Sequence, residues 1–342
     1  MIALLLQRCL VLVLAYSMTT MLREDVQAQL DPERRVLFWR FLCERQRVWQ
    51  RRFVQRCAPP WTDDPVLRRE RFTNVYRELD PGTQYALTDI LETVHAREDK
   101  IFNIMLYRLI GRATTHAKIG FQHLDSFRPH VLEACLKYIR DEEREPPFTA
   151  AYMVSGYTSM GSRDKAENIA RLFARIQAGF AAFFTHVEAC PTSAEVYAYL
   201  RSMPGFGNFL SYQVLVDLLY PLQVYGNRPL LPYSHDDWAS AGPGALRGIT
   251  MLLSNGSMAE HLEVMRWLRD HQSDEFTRLG LDFPYLQDQA GRPIRLSLAN
   301  IQNCLCEFHK YVKITEGTGR GRRKFAPPPA VRLSLNPPCL QS

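Results

Sequence analysis

Ala194-Glu195-Val196-Tyr197-Ala198-Tyr199-Leu200-Arg201-Ser202-Met203-Pro204-Gly205-Phe206-Gly207-Asn208 is the stretch on which the fold turns. Val196, Tyr197 and Leu200 recur at helical spacing, so 193–203 is read as a helix. Thr192 and Glu195 stand three apart at its start, the pattern of a capping box. Pro204-Gly205-Phe206-Gly207 must turn. The apolar residues from Leu210 to Tyr220 then resume a helical pattern, giving a second helix over 208–220. Two helices joined by a short glycine turn leave unpaired N–H groups at the start of the second helix, an arrangement suited to a phosphate oxygen. Gly205, Phe206, Gly207 and Asn208 are the expected contacts.

Downstream lie Asp236-Asp237-Trp238-Ala239 and then Gly242-Pro243-Gly244-Ala245-Leu246-Arg247-Gly248. A carboxylate near a phosphate grip can take a proton or support developing positive charge, so Asp237 and its neighbour Asp236 are the candidate catalytic pair. The competing reading makes one of them an Asx turn into the glycine loop. Trp238 either packs the core, the commoner role, or stacks on a base. Gly242, Gly244 and Arg247 suit a second phosphate at a helix start, or simply a rigid turn.

Working outward, helical patterns fill the chain: 34–56, 65–79, 83–95, 99–111, 127–140, 164–185, 244–253, 257–270 and 297–312. No sustained period-2 alternation appears, which predicts an all-α, multi-helix globular domain. The 34–56 helix interleaves Arg34, Arg35, Arg40, Arg45, Arg47, Arg51, Arg52 and Arg56 with aromatics. That is either a phosphate-tracking surface or a polar face whose arginines find acids elsewhere. In the 65–79 helix, Asn74, Arg77 and Asp80 would share a face. They form either a site wall or a buried polar network. Lys165 opens the 164–185 helix as a phosphate contact or a solvated lysine.

The chain has 342 residues, 46% hydrophobic and 23% charged, with a formal charge of +6 and pI ≈ 8.9. This is an ordinary globular composition with a mild basic excess, which permits a polyanionic partner without requiring one. Eight cysteines lie scattered, and none forms a Cys-x-x-Cys pair. They suit a reducing compartment; Cys304, Cys306 and His309 are read as buried thiols beside a histidine, and no metal site is expected. Residues 1–30 form an apolar leader, read as a misplaced start, a disordered leader, a secretory signal or a membrane anchor. Residues 31–316 are the helical domain, with its hairpin at 193–220. Residues 317–342 are a basic, Pro-rich flexible tail. No P-loop, His-Glu-x-x-His, Gly-x-Ser-x-Gly or dinucleotide fingerprint is present in the sequence.

Several separated motifs then resemble one family. Pro60-Trp61-Thr62-Asp63-Asp64-Pro65 with Phe72-Thr73-Asn74-Val75-Tyr76-Arg77-Glu78-Leu79-Asp80 is similar to the helical domain of 5-hydroxymethyl-deoxyuridine (5-hmdU) DNA kinases and α-glutamyl/putrescinyl thymine pyrophosphorylases. So are Met203-Pro204-Gly205-Phe206-Gly207, Asp237-Trp238-Ala239-Ser240-Ala241-Gly242-Pro243-Gly244-Ala245 and Asn303-Cys304-Leu305-Cys306-Glu307-Phe308-His309-Lys310-Tyr311. The resemblance spans roughly 33–325, with Pro81 and His309 departing from the family pattern.

What it implies is a helix-hairpin-helix fold of the DNA-glycosylase kind, used to elaborate a 5-hydroxymethyluracil base rather than excise it. The base is flipped out, and either a phosphoryl group is added at the 5-hydroxymethyl or pyrophosphate is displaced there. Asp237 is carried over as general base or charge stabiliser. The implied co-substrate is a nucleotide or an amine; the implied partners are DNA and a kinase or hydroxylase that supplies the modified base. The chain is expected to act as a monomer in the nucleus or cytoplasm. A monofunctional DNA glycosylase and a non-catalytic DNA-binding module are the alternatives. Lyase-type glycosylases carry a lysine just after the second hairpin glycine; Asn208 and Phe209 stand here, which excludes Schiff-base chemistry from that position.

Overall fold

The computed structural model describes residues 26–321, which sort into two compact units. The first holds 26–75, 239–285 and 295–321; the second holds 76–238 and 286–294. Both are helical, as the periodicity predicts. The one sheet among the described residues pairs β1 (Leu286–Gln287) with β2 (Pro293–Ile294), antiparallel.

The first unit contains α1 (Pro32–Trp49, continued as a π-turn over Gln50–Val54) and α2 (Pro65–Arg69). Its other helices, late in the chain, are α10 (Pro243–Leu252), α11 (His261–Arg278) and α12 (Leu298–Thr315). Asp31 caps α1 by accepting from Arg34 N at 2.8 Å, and Pro32 fits the first helical position, where no N–H is needed. Phe38, Trp39, Phe41 and Leu42 turn the apolar face of α1 inward. There Phe38 meets Phe308 edge-on at 5.3 Å and Trp39 meets Phe276 at 5.0 Å. Edge-to-face pairs of this kind add to the burial energy of the rings themselves.

α10 crosses α12 with unusually little between them. A methyl group built on Gly248 would lie 2.1 Å from the Leu305 carbonyl oxygen, and one on Gly244 would lie 2.3 Å from Cys306 Sγ. Glycines four apart on one helix face therefore let the two backbones approach, and Gly244 is occupied by that packing. Gly242, by contrast, faces open space.

The second unit contains α3 (Pro81–Tyr85, running into a π-turn over Ala86–Leu91), α4 (Arg97–Ile110) and α5 (Ala113–Ile119). It continues with α6 (Pro129–Asp141), α7 (Lys165–Ala189), α8 (Ser193–Ser202) and α9 (Asn208–Leu218). Its core gathers Phe102 of α4 against Phe127, Phe173 and Phe180 at 5.1, 5.4 and 5.7 Å. α9 is buried from Leu210 to Leu218, polar Ser211, Gln213 and Asp217 included.

Two expectations change. The 65–79 helix ends at Arg69, because Glu70 is extended and the chain stays non-helical to Tyr76 before a 3-10 turn at Arg77–Leu79. Asn74, Arg77 and Asp80 therefore share no helix face; Asn74 belongs to the first unit, Arg77 and Asp80 to the second. The membrane-anchored alternative is also corrected: no helix among the described residues is long and apolar enough to cross a membrane. The apolar leader itself, like the tail beyond residue 321, lies outside the described residues.

Candidate functional site

The hairpin forms as its sequence demands. Thr192 Oγ1 accepts from Glu195 N at 3.2 Å, starting α8, while the Glu195 carboxylate returns to the Thr192 hydroxyl at 3.1 Å. Gly205 turns the chain at φ +84°, a left-handed conformation that side chains with a Cβ resist. A methyl group there would also sit 2.6 Å from Leu172 Cδ2 of α7. Tyr157, itself left-handed at φ 48°, donates its hydroxyl to Gly205 O at 3.1 Å and pins the turn from outside.

Gly207 is different. It is the residue before α9, in extended backbone, and a Cβ on it would meet nothing within 4 Å. Among the described residues no side chain caps α9, so the N–H groups of its first turn point outward. Asn208 and Phe209 are exposed there, Phe209 with its ring 5.0 Å from Tyr152. Phe206 is buried, so this residue offers the site backbone only, and its N–H already donates to Met203 O at 3.1 Å.

The aspartates reach the same unit by a return path. After α9 the chain folds back along it: Leu231 N donates to Leu218 O at 3.3 Å, and His235 Nε2 donates to Val216 O at 2.8 Å. Trp238 then packs on Tyr197 and Tyr212, at 4.9 and 6.2 Å, near the hairpin end of the helix pair. Asp236 and Asp237 lie on that returning segment, both exposed. Asp237 Oδ2 accepts from Ser234 N at 2.7 Å, and Asp236 N donates to Ser234 Oγ at 3.1 Å. Asp237 thus reaches back three residues to Ser234, whose own hydroxyl makes the two-residue turn to Asp236 N, and a carboxylate accepts several hydrogen bonds. Trp238 is half-buried, as a packing tryptophan would be.

Beneath this surface runs a polar layer that sequence reasoning missed in part. Arg77, buried, donates to Gln213 Oε1 at 2.6 Å. Arg108 of α4 grips Asp217 through two bonds of 2.5 and 2.6 Å, Asp217 being fully buried. Both acceptors are on α9, four residues apart, so one apolar helix carries the partners of two arginines. An aspartate inside the run Val214-Leu215-Val216-Asp217-Leu218 was the available signal, because a carboxylate in such a run must be paired. The sequence did not say with which arginine. Burial, reinforced by the positive charge of Arg77, holds the His235 imidazole below its usual pKa, which keeps it neutral as the Nε2 donor to Val216.

Lys165 is neither solvated nor aimed outward. Its ammonium donates to Val154 O at 2.7 Å and sits 4.2 Å from the Phe148 ring centroid, and burial lowers its pKa. In the first unit, most arginines of α1 also have protein partners. Arg34 meets Glu316, Arg35 meets Glu275, and Arg45 donates to Thr73 O and Asn74 O. Arg47 bonds Asp282 O, Arg51 bonds Glu44 and Trp61 O, and Arg52 stacks on Phe53 and Trp61. The helix therefore follows the paired reading of its arginines.

Comparison with known proteins gives the family. Residues 33–321 match the family described as 5-hmdU DNA kinase, helical domain. The 5-hmdU DNA kinase of Bacillus phage SP10 is 30% identical over 305 residues, covering 84% of this chain and 47% of that protein. The chain thus spans about half the length of the curated relative it matches. No solved structure matches. The chain belongs to the 5-hmdU DNA kinase helical-domain family.

Proposed function

We propose that this member of the family acts in DNA modification by phosphoryl transfer, with the second unit as the part that meets the base. Its hairpin, α8–Gly205–Gly207–α9, is the helix-hairpin-helix of the DNA-glycosylase kind and holds a backbone phosphate on the N–H groups opening α9. A 5-hydroxymethyluracil leaves the stack and presents its hydroxymethyl group to Asp237. Asp237 takes the hydroxyl proton as that oxygen forms its bond to the transferred phosphorus and the donor's phosphoanhydride bond breaks. A nucleoside triphosphate is the donor class.

The observation that carries this reading is the returning segment. Residues 231–238, anchored at Leu218 and Val216, bring the aspartate pair back along α9, whose start is the proposed phosphate grip. Trp238 and Tyr197 pack beside them, an aromatic surface of the sort on which a flipped base stacks. The relative named a 5-hmdU DNA kinase supports phosphoryl transfer over excision. Residues 31–316 are the modification domain in this scheme.

The test is nucleoside mass spectrometry. Protein, hydroxymethyluracil-containing duplex and nucleoside triphosphate are incubated, and the DNA is digested. The expected product is a hydroxymethyl-deoxyuridine heavier by one phosphoryl group, lost in Asp237→Asn with DNA affinity retained. Free base and an alkali-labile abasic site would identify a glycosylase instead. An unaltered nucleoside, with DNA still bound, would leave a binding module.

A further inference from the structure

The first unit carries a second cluster of charge, remote in sequence from the hairpin. Cys306 of α12 packs against Gly244 of α10. His309 and Lys313 continue the same stripe of α12, three and seven residues on, and so run past the crossing with α10. Arg247 stands on α10 next to Gly248, the residue in closest approach to Leu305. The close packing at Gly244–Cys306 and Gly248–Leu305 sets Arg247 at the α12 crossing from which the His309–Lys313 stripe runs on, and the His309 imidazole feels both charges. Its pKa is lowered by burial and then by the charges of Arg247 and Lys313, with no carboxylate acting against them.

Among the described residues the side chains of these three make no hydrogen bond or ion pair. This separates them from most arginines of α1, which bond acids and carbonyls. Arg247 is exposed, and His309 and Lys313 are partly so. The chain leaving α12 folds back beside them: Thr318 N donates to Lys313 O at 2.9 Å, and Gly319 backs onto the Lys313 stem. That segment carries Arg320, and the sequence continues into Arg322, Arg323 and Lys324.

We propose that Arg247, His309 and Lys313 form a contact for the phosphodiester backbone of DNA on the first unit. Two cations and an imidazole held together without an internal acid repel one another, and a polyanion relieves that repulsion. His309 and Lys313 lie about 6 Å apart along the axis of α12. The charges are thus strung in a stripe, which suits a passing strand better than a single compact phosphate. Hydrogen-bonding geometry supports the choice, since arginine forks onto phosphate and lysine serves it as a point charge.

The experiment is equilibrium binding of unmodified duplex by fluorescence anisotropy across a salt series. It needs no turnover and so stands or falls separately from the proposed chemistry. Arg247→Gln and Lys313→Gln are each expected to lower the slope of log K against log salt by about 1, and together by about 2. Affinity at moderate salt should fall about 10-fold or more for the pair, with wild-type thermal unfolding. His309→Glu, which supplies the missing internal acid, should weaken binding without touching either cation. Unchanged slope and affinity in folded variants would overturn the assignment. So would nucleoside triphosphate that displaces DNA from the wild type but not from the double variant, since the site would then belong to a nucleotide. Binding of an acidic polypeptide in preference to DNA would overturn it as well.

Discussion

Gly205 and Gly207 stand two positions apart in one turn, yet they do different work. Gly205 is left-handed and has no room for a methyl group, whereas Gly207 has both an ordinary backbone and open space. Gly205→Ala is expected to cost about 2–3 kcal/mol from backbone strain and overpacking together. Gly207→Ala should leave stability within about 0.5 kcal/mol. Urea midpoints check both. Gly207→Glu then isolates the phosphate grip: it should weaken DNA binding through repulsion while the urea midpoint stays near wild type, and equal affinity would discard the hairpin as a contact.

His116 gives a pH signature. Its ring is buried, sharing a hydrogen bond of 2.9 Å between Nδ1 and the Tyr85 hydroxyl, and burial lowers its pKa from 6.5 to about 4. The unfolded chain therefore binds a proton between those values that the folded chain does not. Stability from this group is whole above pH 6.5 and is lost as pH falls toward 4, by about 3 kcal/mol at most. His116→Gln should flatten that limb of the stability profile. If the limb is as steep in the variant as in wild type, another group is responsible.

Helices are held in place by two contrasting devices. α10 and α12 meet through the absence of side chains, so Gly248→Ala must force the Leu305 carbonyl away and should destabilise by about 3 kcal/mol or more. α4 and α9 meet through a buried charge pair, and removing one partner strands the other. Asp217→Asn is expected to cost about 3–5 kcal/mol, read as a shift in urea midpoint. A smaller loss in Asp217→Asn with Arg108→Met than in the single change would show that the orphaned arginine carries most of the penalty.

These devices also explain which elements were legible. Long periodic helices such as 97–110, 165–189 and 298–315 were readable because their apolar stripes are made by neighbours in sequence. The seven-residue α5 was missed because it is too short for a period to show. The 65–79 pattern misled because Arg45 and Asn303 take hold of the Thr73–Asn74 backbone, giving it partners a helix would otherwise provide. At the site, the turn and the aspartates were visible as residue types in order. The return path that carries the aspartates back along α9 was not, since it depends on Leu231 and His235 finding carbonyls on that helix.

Taken as one molecule, the chain spreads its mild basic excess unevenly. Most arginines of α1 are paired within the fold, while the side chains of Arg247, His309 and Lys313 remain open. Net charge alone therefore misjudges where a polyanion would bind. Duplex DNA at about 100 times its dissociation constant should raise unfolding free energy by about 2.7 kcal/mol if it binds only the folded chain. The absence of any melting shift at saturating DNA would count against both phosphate contacts.

The first unit is assembled from pieces that begin before Val75 and finish after Arg295, with the second unit spelled out between them. On the ribosome this order has a cost. Phe38 and Phe41 emerge early, but Phe308 and Tyr311, which cover them, are among the last described residues to be synthesised. The N-terminal aromatic face must wait, exposed and prone to association, through most of translation. A nascent chain stalled before α12 should present a protease-resistant second unit beside a sensitive N-terminal helix, and chaperone demand should fall sharply once residue 315 has cleared the exit tunnel.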